Sequence, residues 1–271
     1  MKLRTITGLI ILFILFILFI SSIIYIITDS NWKHFENYDY NENAPKLIHV
    51  IYIPWDKEQK LKTNYLDFDK TSYEKLKQNN PDYTIRLWTL QDIKNFLTEF
   101  YPQYYDDIFN LPRPVMIVDF MRLLIVYHYG GIYWQYGSER KVDSMDIFLP
   151  SLHKNVKLFT ETIISQEMSN KMKNEPIRKG EPEEFIRVYT GIFSAVPKHH
   201  YIHTLFLTAI ENSKKYRVQK DYDILYIGGN TMMSSVYDKI GKQLEDVELV
   251  DYYTTTKMIK MNSNGSWRND K

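Results

Sequence analysis

Residues 114–137, PVMIVDFMRLLIVYHYGGIYWQYG, contain a helix signal followed directly by a strand signal. A proline in the first turn and the glycine pair at 130–131 predict a helix over 115–129. The apolar residues 132–134 predict a short strand that ends at a glycine-containing turn. Because the carboxyl ends of strands in open α/β sheets line the ligand crevice, this arrangement predicts a binding site at 135–137.

The predicted helix is apolar on nearly all sides, so it should be buried. Its two charged residues, Asp119 and Arg122, lie three positions apart and therefore share one face. Burying either charge alone is costly, so each must pair with the other, with a ligand, or with both. An internal ion pair and a ligand site are the two alternatives.

The residues before this helix predict an α/β fold. The β-branched apolar run at 46–53 is typical of a buried first strand, and 83–88 has the composition of a second. Helices are predicted around 73–78 and over 90–100. Strand, helix, strand and helix in this order favour a mainly parallel sheet. One domain over 45–271 accounts for the chain length.

The N-terminal residues predict a membrane anchor. Residues 8–27 contain no charge and no proline, and at about 1.5 Å per residue they would cross a hydrocarbon core of about 30 Å. The apolar run is too long for a typical signal peptide, which favours an uncleaved anchor. Lys2 and Arg4 place residues 1–7 in the cytosol. Residues 28–44 form a polar stalk, and the domain is expected in a Golgi-like or ER-like lumen or outside the cell, as in a type II membrane protein.

Composition excludes several classes of function. The 34 Lys and Arg residues balance 33 Asp and Glu residues, so no nucleic-acid partner is expected. The chain has no cysteine, which excludes disulfides, thiolate catalysis and Cys-ligated zinc. Any chemistry must use carboxylates, hydroxyls, imidazoles and backbone groups.

Several short motifs in this order resemble the sugar transferases of glycosyltransferase family 32, which are related to yeast mannosyltransferases and more remotely to the glucosylating domains of large clostridial toxins. The motifs are PKLIH at 45–49, NPDY at 80–83 with LW at 87–88, DFMR at 119–122, YHYGGIY at 127–133, TG at 190–191 with Pro197, GGN at 228–230 and GSW at 265–267. The resemblance implies a GT-A-like nucleotide-sugar-binding domain. It further implies transfer of a hexose from a nucleotide-sugar donor, GDP-mannose or a UDP-hexose, to a glycan or glycolipid acceptor, generally with retained anomeric configuration.

The resemblance also implies roles for individual residues. Asp119 would orient the donor, and Arg122 would stabilise its charge. The other residues that it implies around the donor are Tyr52, Tyr133, Gln135, Gly137, Gly229, Asn230 and Trp267.

The chain departs from the family at its defining Asp-x-Asp motif, where Gln135 and Gly137 replace the two aspartates. Mg²⁺ and Mn²⁺ prefer anionic oxygen ligands, which an amide and a glycine cannot supply, so metal use is not expected from these positions. Glu139 or Asp143 could hold a metal instead, or basic residues could neutralise the leaving group without one. Those basic residues are Arg140, Lys141 and Arg268.

We rank first a transfer that is independent of a metal or depends on it only weakly. The alternative is a degenerate transferase fold that acts as a sugar-binding module or as the partner subunit of another transferase.

Overall fold

The computed structural model describes residues 43–261 except 57, 59, 63–69, 176 and 178–183. The predicted anchor at 8–27, residues 28–42 of the predicted stalk at 28–44, Trp267 and Arg268 lie outside the described residues. Within the described part of the chain, no helix is both long enough and apolar enough to cross a membrane. All the described residues belong to one compact unit, Glu42–Lys271.

Helices and strands are interspersed along the described chain. The strands are β1 (Leu47–Ile51), β2 (Thr84–Trp88), β3 (Gly131–Trp134), β4 (Glu139–Arg140), β5 (Val156–Ile163), β6 (Ile186–Val188), β7 (Ile192–Ala195), β8 (Val247–Val250) and β9 (Ile259–Lys260). The α-helices are α1 (Lys70–Gln78), α2 (Leu90–Phe100), α3 (Tyr105–Phe109), α4 (Pro114–Tyr129), α5 (Gln166–Lys173), α6 (His200–Lys215), α7 (Asp221–Ile227), α8 (Asn230–Lys239) and α9 (Tyr252–Met258).

The main sheet has the order β2-β1-β3-β7-β5-β6, and β8 pairs with β5. β1 is parallel to both β2 and β3, and β5 is parallel to β8. β7 is antiparallel to its two neighbours, β3 and β5. β6 is antiparallel to β5. The strands β1, β2, β3, β5 and β8 therefore run in one direction, and β6 and β7 run in the other. The α/β class and the mainly parallel character of the sheet are confirmed, and the two reversed strands make the sheet mixed.

Helix α4 lies at the centre of the fold. Its apolar side chains pack in a cluster with Tyr133 of β3, while Ile132 and Trp134 belong to a second cluster on the opposite face of the sheet. The helix ends where Gly130 and Gly131 adopt φ values of 67° and 85°. A Cβ atom on Gly131 would collide with the carbonyl oxygen of Leu47, so glycine is needed for the chain to turn from α4 into β3 beside β1.

Candidate active site

Three strands that run in the same direction bring their carboxyl ends to one edge of the sheet. Tyr52 follows β1, Gln135 follows β3, and Glu161 lies near the end of β5. The Gln135 N–H donates to the Gly191 carbonyl oxygen at 2.7 Å, which joins the end of β3 to the start of β7. Ligand crevices of open α/β sheets form at such an edge.

Asp119 and Arg122 form a buried ion pair on α4. Asp119 is 5% exposed and Arg122 is 6% exposed. Arg122 Nη1 also donates to the Thr190 carbonyl oxygen at 2.7 Å, and its guanidinium carbon lies 5.4 Å from the centre of the Tyr133 ring. Burial lowers the pKa of Arg122 and raises the pKa of Tyr133.

The ion pair does not satisfy all of the polar atoms of Arg122. Its Nε is buried without a hydrogen-bond partner among the described residues. Since buried polar groups are nearly always hydrogen-bonded, this N–H is a candidate ligand contact. The geometry is therefore compatible with both predicted alternatives, an internal pair and a ligand site.

A second polar group lies where α8 begins. Asn230 Nδ2 donates to Glu161 Oε2 at 2.6 Å, whereas Asn230 Oδ1 and Thr231 Oγ1 are buried without a partner in the described part of the chain. Burial raises the pKa of Glu161, while Arg187, the Asn230 hydrogen bond and Arg122 act in the opposite direction. Glu161 was not among the residues predicted from the sequence, although a lone carboxylate near the end of a largely apolar strand is a usable signal.

Of the other donor residues implied by the resemblance, Gly229 is the N-cap of α8, next to Asn230. Tyr52 lies with its ring 5.0 Å from that of Tyr136, at an angle of 60°. Gly137 is exposed with a φ of 79°. The rings of Tyr52 and Tyr136 therefore bring together the residues that follow β1 and β3.

The two carboxylates suggested as substitute metal ligands are both exposed. Glu139 is exposed and pairs with Lys260 at 3.0 Å, and Asp143 is exposed. Within the ranges that the structure describes, no three His, Asp or Glu side chains are grouped to hold a metal ion. At 135 and 137 an amide and a glycine stand where the Asp-x-Asp motif has carboxylates, so these two positions supply no anionic oxygen for Mn²⁺ or Mg²⁺.

A cavity of about 330 Å³ lies beside the turn that follows β3. Two basic residues, Arg140 and Lys75, line it together with Gly137, and Arg140 Nη1 donates to Asn80 Oδ1 at 2.7 Å. Lys141 instead donates from Nζ to the Thr256 carbonyl oxygen at 2.8 Å. Of the two basic candidates that the structure describes, Arg140 is the one that lines this cavity. The remaining lining residues are Val50, Ser72, Tyr73, Leu76, Asn79, Asn80, Trp134, Tyr136, Ser138 and Glu139.

This region of the chain is similar to known proteins. Residues 67–135 match the family described as the glycosyltransferase sugar-binding region containing a DXD motif. The chain is 33% identical over 116 residues to mannosyl phosphorylinositol ceramide synthase SUR1 of Saccharomyces cerevisiae, covering 42% of this chain and 28% of that protein. It is 28% identical over 194 residues to mannosyl phosphorylinositol ceramide synthase CSH1 of the same yeast, covering 70% and 39%.

A third relative is inositol phosphoceramide mannosyltransferase 2 of Schizosaccharomyces pombe, 24% identical over 167 residues that cover 61% of this chain and 40% of that protein. The chain thus spans no more than about two-fifths of the length of these curated relatives. Among solved structures, the PaToxG glycosyltransferase is 16% identical with a TM-score of 0.48, and the likeness covers 82% of each chain. The predicted resemblance to DXD-region sugar transferases is confirmed.

Proposed function

We propose that this chain, as a relative of the DXD-region glycosyltransferases, transfers a hexose from a nucleotide-diphosphate sugar to a glycolipid. The observation that carries the proposal is the buried Asp119–Arg122 pair, which lies within the family match and against Tyr133 at the carboxyl edge of the sheet. A buried ion pair with an unpaired Arg122 Nε is suited to holding an oxygen-rich ligand.

The relatives support a particular donor and acceptor. Their names describe mannosyl transfer to inositol phosphoceramide, so GDP-mannose is the first donor to test and a UDP-hexose is the second. An acceptor of this kind lies in a membrane, and an anchor at residues 8–27 would hold the domain beside it on the lumenal or extracytoplasmic side.

In the proposed reaction, the bond between the sugar carbon C1 and the leaving phosphate oxygen breaks while the acceptor oxygen bonds to C1 from the same face. The proton of the acceptor hydroxyl passes to the departing diphosphate, so no separate general base is needed. Asp119 and Arg122 orient the donor, and Tyr133 and Gln135 border the sugar. Arg140 lies beside Gly137, where a cation would stabilise the negative charge of the diphosphate.

The direct test is release of nucleotide by the full chain in detergent, with inositol phosphoceramide as the acceptor. We expect GDP release from GDP-mannose, with a rate that changes less than about twofold when Mn²⁺ is added or chelated. A relative with both aspartates intact is the matched control. If no GDP-sugar or UDP-sugar yields nucleotide or product under conditions where the control turns over, the proposed activity is wrong.

The second candidate, a degenerate sugar-binding or partner subunit, is favoured by the loss of both motif carboxylates. The test is a double variant, Gln135→Asp with Gly137→Asp, which restores both carboxylates. The control is the double variant Gln135→Asn with Gly137→Asn, whose side chains have nearly the same shape but no charge. If the wild type binds donor without turnover, Mn²⁺-dependent transfer by the Asp variant alone would show that only the metal ligands are missing. If the wild type turns over without metal, the degenerate alternative is excluded.

A further inference from the structure

Glu161 lies among groups that come from three separate elements of the fold. Its carboxylate accepts the hydrogen bond from Asn230 at the start of α8, and it interacts electrostatically with Arg122 of α4. Glu161 is only partly buried on β5, so this cluster has access to the surface at the carboxyl edge of the sheet.

Two polar atoms of this cluster have no partner among the residues described. Arg122 Nε can only donate a hydrogen bond and Asn230 Oδ1 can only accept one, and both atoms are buried in residues that are 6% and 9% exposed. Leaving such atoms unpaired is costly. A sugar hydroxyl both donates and accepts, so a polyol can satisfy a donor and an acceptor in the same cluster.

A second arginine, Arg187, also acts on Glu161. Arg187 of β6 interacts with Glu161 and also lies 3.4 Å from Glu184, measured from Nε to Oε1. Burial has the largest effect and raises the pKa of Glu161, while the charges of Arg187 and Arg122 act in the opposite direction. A carboxyl group has an oxygen that accepts hydrogen bonds from hydroxyl groups whether it is ionised or protonated.

We propose that Glu161 is a specificity-determining residue that, together with Asn230, accepts hydrogen bonds from hydroxyl groups of the transferred hexose. This inference rests on the proposed function, because it assigns a sugar subsite within the same donor site. Arg122 Nε then donates to a sugar oxygen, and the buried polar atoms of the cluster find their partners when the donor binds.

The test compares the affinity of the full chain for GDP-mannose with its affinity for GDP, by calorimetry in detergent. The variant is Glu161→Gln, which keeps an oxygen that can accept from Asn230. The matched control is Glu184→Gln, which makes the same chemical change at another buried carboxylate beside Arg187. We expect Glu161→Gln to reduce the preference for the nucleotide-sugar over the nucleotide about tenfold or more. The affinity of the Glu161→Gln variant for GDP should change less than about twofold. In the Glu184→Gln variant, the preference for the nucleotide-sugar over the nucleotide should also change less than about twofold.

Each result has a defined consequence. If Glu161→Gln keeps the full preference, or Glu184→Gln loses it equally, the role of Glu161 in sugar recognition is wrong. A wild type that binds neither GDP-mannose nor UDP-glucose more tightly than the free nucleotide overturns the proposed donor and this inference together. The variant Asn230→Ala, which removes the unpaired acceptor Oδ1, is a second test. It should weaken the binding of GDP-mannose without weakening the binding of GDP.

Discussion

Replacing Asp119 with alanine is expected to lower the free energy of unfolding by about 3–5 kcal/mol, because it leaves the Arg122 charge buried without its carboxylate. It should also reduce transfer about a hundredfold or more if the pair positions the donor. Urea unfolding of the full chain in detergent measures the first effect, and the rate of nucleotide release measures the second.

A double variant separates these two effects. Asp119→Leu combined with Arg122→Met removes both charges, and replacing a whole buried pair by apolar residues of similar volume is often neutral or stabilising. We expect the free energy of unfolding of this double variant to lie within about 1 kcal/mol of the wild-type value. We also expect the double variant to bind no nucleotide-sugar. Normal donor binding by the double variant would show that the pair is purely structural.

Acidification is expected to remove about 3 kcal/mol of stability between pH 6.5 and pH 4 through His49 alone. Trp88 Nε1 donates to His49 Nδ1 at 3.1 Å, and His49 Nε2 lies 2.9 Å from the Gly130 carbonyl oxygen. These partners require a neutral imidazole with its proton on Nε2. Burial, with a smaller contribution from the charge of Arg86, lowers the pKa of His49 to about 4.

The sign follows from proton counting. Between pH 6.5 and 4 the unfolded chain binds a proton at His49 that the folded chain does not, so stability rises with pH across this window and falls on acidification. Urea unfolding at half-unit pH intervals measures the slope. His49→Gln should remove about 1 kcal/mol per pH unit from it. Equal slopes in the wild type and His49→Gln would contradict the assignment.

His128 adds to the same acid response. Burial and, to a smaller extent, the charges of Lys198 and Arg86 lower its pKa to about 4. Its Nδ1 lies 3.1 Å from the Tyr101 hydroxyl. Since His128 is only partly buried, its contribution should be smaller than that of His49.

Local sequence was sufficient for the central elements. The predicted helix at 115–129 is observed at Pro114–Tyr129, and the strand predicted at 132–134 is observed at Gly131–Trp134. The predicted helix at 90–100 is observed at Leu90–Phe100, where Thr89 and Asp92 form a capping box. Proline, glycine and capping residues act within one turn of the chain, so these boundaries can be predicted without knowing what packs against them.

The direction of the later strands could not be predicted in the same way. β7 is antiparallel to β3 and pairs Gly131 with Ala195, which inserts a reversed strand between β3 and β5. An apolar run of four residues carries no information about its neighbour or its direction. The packing of the whole sheet therefore decided where the two reversed strands, β6 and β7, lie within a mainly parallel sheet.

The candidate site also has one part that the sequence predicted and another part that only the tertiary structure showed. The sequence alone predicted that Asp119 and Arg122 need a partner, because two charges in an otherwise apolar helix require one wherever the helix packs, and the structure shows them paired with each other. Only the tertiary structure brought Glu161 to Asn230, across 69 residues, and His49 to Gly130, across 81. Periodicity and charge report how a residue is buried, whereas contact between distant residues depends on how the elements pack together.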